Sequence, residues 1–159
     1  MSFIQRMRLP NVGVPLTIAA AMLKNRTTVR IGWGDCDPAG IVFFPRYLAF
    51  CNEATGALFE SIGFPKPLLL KTYDIVGYPV VQLSASFSKP CTFGEDIVIE
   101  TWVAEWGRTS FKLQHRLLRN DEVAVECEEK RVWAARDPES PAGIRGKPIP
   151  DEIKVRLGR

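Results

Sequence analysis

The sequence predicts an α+β domain in which an antiparallel β-sheet wraps around one long central α-helix. Three observations carry this. Apolar residues recur at helical spacing over one long stretch, in Tyr47, Phe50, Cys51, Ala54, Leu58 and Ile62, which defines a helix of about five turns with one greasy face. One strand-like segment precedes that helix and several follow it, each marked by β-branched residues or period-two alternation. The later strands are joined by short turns, which favours an antiparallel meander over a parallel sheet. At 159 residues and 46% hydrophobic the chain can bury one core, so one domain is the natural count.

Each element follows from its local chemistry. Thr27 to Trp33 alternates with β-branched residues and reads as a first strand, which Pro38 and Gly40 close. Pro45 suits the first turn of the helix because its missing N–H would be unpaired there, and Gly63 suits the stop. Ala54 and Ala57, on or beside the apolar face, let a curved sheet approach closely. A Pro-rich connection around Pro65 and Pro67 follows. Val81, Leu83, Ala85 and Phe87 then fall on one side of a strand and Gln82, Ser84, Ser86 and Ser88 on the other, which predicts one buried face. Asp96 to Trp106, Ser110 to Arg119 and Val123 to Arg136 are three further strands, separated by Gly107 and by Asn120-Asp121. The Pro148 to Arg156 tail predicts a short helix or turn at the surface.

Composition narrows the chemistry. A formal charge of +3 suits an anionic small ligand, and no basic run is dense enough for nucleic acid. Cys36, Cys51, Cys91 and Cys127 are irregularly spaced without a Cys-x-x-Cys pair, and His115 is the single histidine, so a metal site and a catalytic triad both lack parts. A reducing cytosol is the simplest setting. Arg6 and Arg8 precede an apolar stretch from Val12 to Leu23 that crudely resembles an export signal. Pro15 breaks that stretch, Lys24 and Arg26 follow it, and it is too short to span a bilayer, so a cytoplasmic protein without membrane attachment is expected.

The densest signal is Gly34-Asp-Cys-Asp-Pro-Ala-Gly-Ile-Val-Phe-Phe-Pro-Arg-Tyr47, two acids at a Pro/Gly turn followed at once by a helix start. A helix N-terminus gathers unpaired N–H groups and positive dipole potential, which can hold a developing oxyanion beside a carboxylate. On local features alone Asp37 reads first as an Asx-turn residue or helix cap, the commoner fate of Asp before Pro-Ala-Gly. The whole run resembles the signature of the hotdog-fold acyl-CoA thioesterases, and specifically the 4-hydroxybenzoyl-CoA thioesterase family. That resemblance begins near Met22-Leu23-Lys24, so residues 1–23 are expected to be an N-terminal extension and 24–159 the hotdog domain.

The resemblance implies a set of roles. The second Asp of the Asp-Cys-Asp run maps onto Asp37, as nucleophile or general base toward a thioester, while Asp35 supports the turn. The backbone N–H of Phe44 would polarise the carbonyl, a contribution of about 3–4 kcal/mol for such a donor. A neighbouring hotdog branch has a His in this region, whereas Val42-Phe43-Phe44-Pro45 has none, which points to aromatic substrates. Asn52, the region of Pro67, and Tyr78 match the positions that meet the acyl group; Phe43, Phe44, Phe64 and Tyr78 suit an aryl or other bulky apolar group. Because Asn52 replaces a carboxylate, the 4-hydroxy preference is not carried over. Arg108, Ser110 and Arg145 match coenzyme A contacts, with Gly107 and Thr109 where basic residues would help. Coenzyme A enters as part of the substrate, and no separate cofactor or metal is implied. Family members pair their sheets, so a homodimer or homotetramer is expected.

Three other functions fit less of the sequence, one of them a thioesterase for short aliphatic acyl-CoA. A noncatalytic acyl-CoA sensor would keep the arginines without needing Asp37. A hotdog dehydratase would want a His beside its acid, and His115, on the side of Phe111, Leu113 and Leu117, reads instead as a strand residue with its hydrogen bond satisfied.

Overall fold

In the computed structural model, which describes residues 22–159, a five-stranded antiparallel sheet curls around one long helix. The extension expected over residues 1–23 therefore lies almost wholly outside the described residues. The first strand, β1, spans Asn25–Arg30 and is followed by a short 3-10 turn at Trp33–Asp35. The strand thus stops before Trp33, because Asp35 folds back onto the Gly32 N–H and closes a turn. Helix α1 spans Phe44–Ser61, with Pro45 in its first turn. Gly63, at φ +88°, takes the left-handed conformation that closes it.

The Pro65-Pro67 connection is itself helical: α2 spans Lys66–Tyr73, with Pro67 in a first turn that needs no proline N–H. The strands β2 (Val80–Phe87), β3 (Asp96–Trp106) and β4 (Ser110–Arg119) lie close to the predicted bounds. The last predicted strand divides. β5 spans Glu122–Val132, and β6 (Ala134–Arg136) leaves the main sheet to pair with β7 (Ile144–Gly146) as a separate ribbon. The break falls at Trp133, fully buried with its ring beside Phe59 and Tyr73, where the strand gives up its ladder to fill the core. Helix α3 spans Asp151–Arg156 and is not a surface appendage, since Ile153 and Leu157 are buried in the core.

The sheet order is β1-β3-β4-β5-β2, with every pairing antiparallel. This order leaves β2 at an edge. Its predicted buried face is largely uncovered within one chain: Val81 is 58% exposed, and Leu83 and Phe87 are also open, while Ala85 packs against the core. One core cluster joins Tyr47, Phe50, Cys51 and Ala54 of α1 to Ile97, Ile99, Leu117 and Val125 of the sheet. A second gathers Leu58, Phe59, Phe111, Trp133, Ile149 and Ile153 around the C-terminal half of α1.

A buried polar chain crosses the sheet between these clusters. Thr101 Oγ1 lies 2.9 Å from His115 Nδ1, and His115 Nε2 stands 3.6 Å from Glu129 Oε2, long for a hydrogen bond. Arg131 Nε donates to Glu129 Oε2 at 2.7 Å. Burial alone would raise the Glu129 pKa. The approach of His115 and the hydrogen bonds and charge of Arg131 outweigh it and hold the carboxyl below its ordinary range.

Candidate active site

The turn between β1 and α1 separates its two acids. Asp35 points inward: its Oδ2 accepts the Gly32 N–H at 2.8 Å, its Oδ1 accepts Arg46 Nε at 2.6 Å, and its backbone carbonyl accepts the Phe43 N–H at 2.9 Å. Arg46, one turn into α1, thereby ties the helix start to the turn. Asp37 points outward. Its Oδ1 accepts the Ala39 N–H at 2.8 Å, an Asx-turn, while its Oδ2 has no partner among the described residues. Gly40, at φ +80°, makes the reversal that an L side chain would strain. Asp37 also lines an open pocket of about 280 Å³ with Cys36, Pro38, Gly40 and two aromatic side chains, Trp33 and Phe93. Those rings meet edge to face at 5.5 Å, and Trp33 is 78% exposed. The Asx-turn and an available second oxygen coexist, so the structural role and a chemical one are not alternatives.

The helix start adds donors. Phe43 caps α1 with extended backbone, Phe44 is its first residue, and the Phe44 N–H has no backbone partner among the described residues. The Phe43 and Phe44 rings pack at 5.5 Å and are both exposed. Phe44 further lines a second pocket of about 350 Å³ with Val42, Tyr47, Phe87 and Pro90. Tyr47 holds this wall in place by accepting the Cys91 N–H at 3.1 Å, and burial pushes its hydroxyl pKa up. The mouth of α1 is therefore an aromatic-walled surface with one N–H free among the described residues, that of Phe44.

Asn52 lies two turns further along α1 and is exposed. Its Oδ1 accepts from Arg131 Nη1 at 3.2 Å and Nη2 at 3.3 Å. Tyr78 departs from expectation. Its ring is buried and stacked on Phe59 at 5.0 Å, and its carbonyl accepts Arg131 Nη1 at 3.3 Å. Phe64 is likewise buried in the core. Arg131 thus joins two predicted acyl-end positions, and sequence reasoning missed it. The available signal was Glu129 and Arg131 at inward-facing positions of a strand that also buries Val125 and Cys127.

At the far end of the sheet, Arg108 is exposed in the turn between β3 and β4, Ser110 opens β4, and Arg145 is exposed on β7. The chain holds these together through backbone bonds: Ile149 N–H to Arg108 carbonyl at 2.9 Å and Trp133 N–H to Thr109 carbonyl at 2.8 Å. A Cβ at Gly146 would stand 3.1 Å from the Thr109 side chain, so the ribbon abuts the turn. Arg145 Nε lies 3.8 Å from Asp137, leaving its fork largely available. Among the described residues no group of three or more His, Cys, Asp or Glu is placed to hold a metal ion, and no helix is long and apolar enough to cross a membrane.

An antiparallel sheet curled around one long central helix is the architecture of the hotdog fold. The sequence model of the thioesterase-like superfamily matches residues 31–157, and the chain belongs to that superfamily. It is a thioester hydrolase. The chain is 36% identical over 116 residues to a 4-hydroxybenzoyl-CoA thioesterase of Pseudomonas sp. (strain CBS-3), covering 69% of this chain and 82% of that one. It is 29% identical over 98 residues to a 1,4-dihydroxy-2-naphthoyl-CoA hydrolase of Synechococcus elongatus, covering 62% and 72%. Among solved structures, an Asp-to-Asn variant of 4-hydroxybenzoyl-CoA thioesterase complexed with 4-hydroxybenzoyl-CoA superposes with a TM-score of 0.77 at 30% identity, over 85% of this chain and 99% of that one. A gentisyl-coenzyme A thioesterase superposes at 0.73 and 30% identity, over 84% and 100%.

Proposed function

We propose that this protein hydrolyses an aryl-CoA thioester to the free acid and coenzyme A. The observation that carries the reading is Asp37, in the turn that leads into α1, with one oxygen anchored to the Ala39 N–H and the other without a partner among the described residues. In the covalent form, the free oxygen attacks the thioester carbonyl, the C–S bond breaks, and the coenzyme A thiolate leaves and takes a proton. Water then cleaves the mixed anhydride and regenerates Asp37. In the general-base form, Asp37 takes the proton of an attacking water instead. In both, the Phe44 N–H stabilises charge developing on the carbonyl oxygen, aided by the helix dipole.

Aromatic side chains at the helix start support an aryl acyl group. Phe43, Phe44 and Phe87 supply apolar walls. The relatives named above act on 4-hydroxybenzoyl, gentisyl and dihydroxynaphthoyl thioesters, all of them aryl groups. Arg108 and Arg145, with Ser110, are the groups that would receive the coenzyme A phosphates.

The uncovered β2 edge is the reason to expect more than one copy. Exposed Val81 and Leu83 on a strand with one open edge need a partner to avoid nonspecific association, and a second sheet joined there would bring another subunit toward Phe44, whose ring meets Phe87 of β2. Sedimentation at micromolar concentration should return a dimer or tetramer; a fully active monomer refutes this. The function itself is tested by thiol release from benzoyl-, hydroxybenzoyl-, phenylacetyl- and short aliphatic-CoA thioesters. Preferred turnover of the short aliphatic members would refute the aryl reading.

A further inference from the structure

Two large aromatic side chains stand exposed together in the pocket that Asp37 lines. Trp33 is 78% exposed and Phe93 57%, and their rings meet edge to face with centroids 5.5 Å apart and planes at 87°. A single exposed apolar residue is ordinary, but two in contact on pinned backbone form a prepared surface. Both turns are pinned. The Cys36 N–H donates to the Trp33 carbonyl at 3.2 Å, the Gly94 N–H to the Ile31 carbonyl at 3.0 Å and the Ile31 N–H to the Glu95 carbonyl at 2.8 Å. Glu95 Oε2 accepts the Thr92 N–H at 2.8 Å, and its Oε1 accepts Arg119 Nε at 2.8 Å. The turn that carries Phe93 is thus tied to Ile31, two residues before Trp33, so the backbone sets both rings side by side.

We propose that Trp33 and Phe93 seat the ring of the acyl group and thereby select aryl over aliphatic thioesters. The inference rests on the aryl-CoA reading above and names the surface that takes the ring. In a benzoyl-type thioester the ring is bonded directly to the carbonyl carbon under attack, so a ring in reacting position occupies the space next to Asp37. Asp37 lines the pocket of Trp33 and Phe93 and does not line the pocket of Phe44 and Phe87. The volume suffices: about 280 Å³ here, against roughly 150 Å³ for an apolar cavity that admits benzene. Two rings at near right angles offer a third ring a stacking contact and an edge contact at once. The pantetheine arm of coenzyme A suits this lining less well. Beyond Asp37 and the Trp33 indole N–H, the lining side chains give its amides no strong hydrogen-bond partner.

The test compares benzoyl-CoA with acetyl-CoA, which carries a methyl group in place of the ring. Taking ratios between proteins cancels the intrinsic reactivity of each thioester. In Trp33→Ala and in Phe93→Ala the benzoyl-to-acetyl ratio of specificity constants should fall about five- to tenfold, and Trp33→Phe, which keeps a ring, should retain most of it. Binding is read separately in Asp37→Asn. Of the four tryptophans only Trp33 is exposed; Trp102 and Trp133 are buried and Trp106 is half-buried. Benzoyl-CoA should therefore change the tryptophan emission while acetyl-CoA and coenzyme A alone leave it as it was, and the change should vanish when Asp37→Asn is combined with Trp33→Phe. A merely structural role for the two rings would lower both substrates together; a ratio unmoved in either alanine variant overturns the proposal, as does an emission change shared equally by acetyl-CoA. A ratio that falls in Phe87→Ala but not in Trp33→Ala assigns the ring to the other pocket, which overturns the proposal and spares the aryl reading. Emission changes as predicted without turnover of benzoyl-CoA by the natural protein overturn only the thioesterase reading, and failure of benzoyl-CoA to bind overturns both.

Discussion

Asp35 and Asp37 stand in one turn with a single residue between them, yet the fold treats them oppositely. Asp35 is enclosed, with a backbone N–H on one oxygen and Arg46 on the other. Asp37 sits at a pocket rim with one oxygen uncommitted. Glu129 repeats the enclosed pattern deeper in the core, where Arg131 neutralises it. A paired, buried carboxylate is invested in stability and has little capacity left for chemistry. An anchored but open one is held in position without being neutralised. The difference teaches that the motif's first acid builds the platform and its second is left available.

The contrast breaks most severely at Glu129. Glu129→Gln leaves the Arg131 cation buried without its counter-ion and should cost about 3–5 kcal/mol in urea unfolding. The same pairing dictates pH behaviour. The folded pKa of Glu129 lies below its unfolded value near 4.5, so its contribution is complete above that value and is lost as pH falls through the lowered folded value. The natural protein should lose stability on that descent, and a Glu129→Gln protein that still folds should show a flatter acid limb.

Asp37→Asn should do the reverse. Turnover should fall at least about a hundredfold, equivalent to ~2.7 kcal/mol of barrier, while unfolding stability stays within about 0.5 kcal/mol. Comparable activity in that variant would end the assignment of Asp37. Asp35→Asn should lose about 1–3 kcal/mol of stability, because Arg46 forfeits its charged acceptor, with a smaller fall in kcat than Asp37→Asn. The least effect belongs to Gly40→Ala. No atom lies within 4 Å of the added Cβ, so its cost is conformational, about 1 kcal/mol for a positive φ, and part of it should appear in kcat through displacement of Asp37.

Much of this site is local and hence legible. The Asp-Cys-Asp-Pro-Ala-Gly run encodes its own turn, Pro45 marks the helix start, and the Phe44 N–H follows from where the helix begins. What escaped was the meaning of Asn52 and Tyr78. Asn52 reads as a lost acceptor, and its pairing with Arg131, far along the chain, is set by the tertiary fold. Tyr78 reads as a pocket residue, and only the position of Phe59 shows that its ring belongs to the core.

The sequence by itself determined the class: one amphipathic helix, strands of period two, turns at Gly107 and Asn120-Asp121, and an acid beside a helix mouth. Those features depend on residues within a few positions of one another, where steric and hydrogen-bonding preferences act directly. The tertiary structure alone decided that β5 breaks at Trp133, that α3 enters the core, and that β2 lies open at the sheet edge. It likewise brought the Arg108 turn against the Arg145 ribbon and the Arg131 guanidinium against Asn52. Each of these is settled by which distant group fills a cavity or completes a hydrogen bond, and hydrophobic periodicity carries no record of which partner that will be.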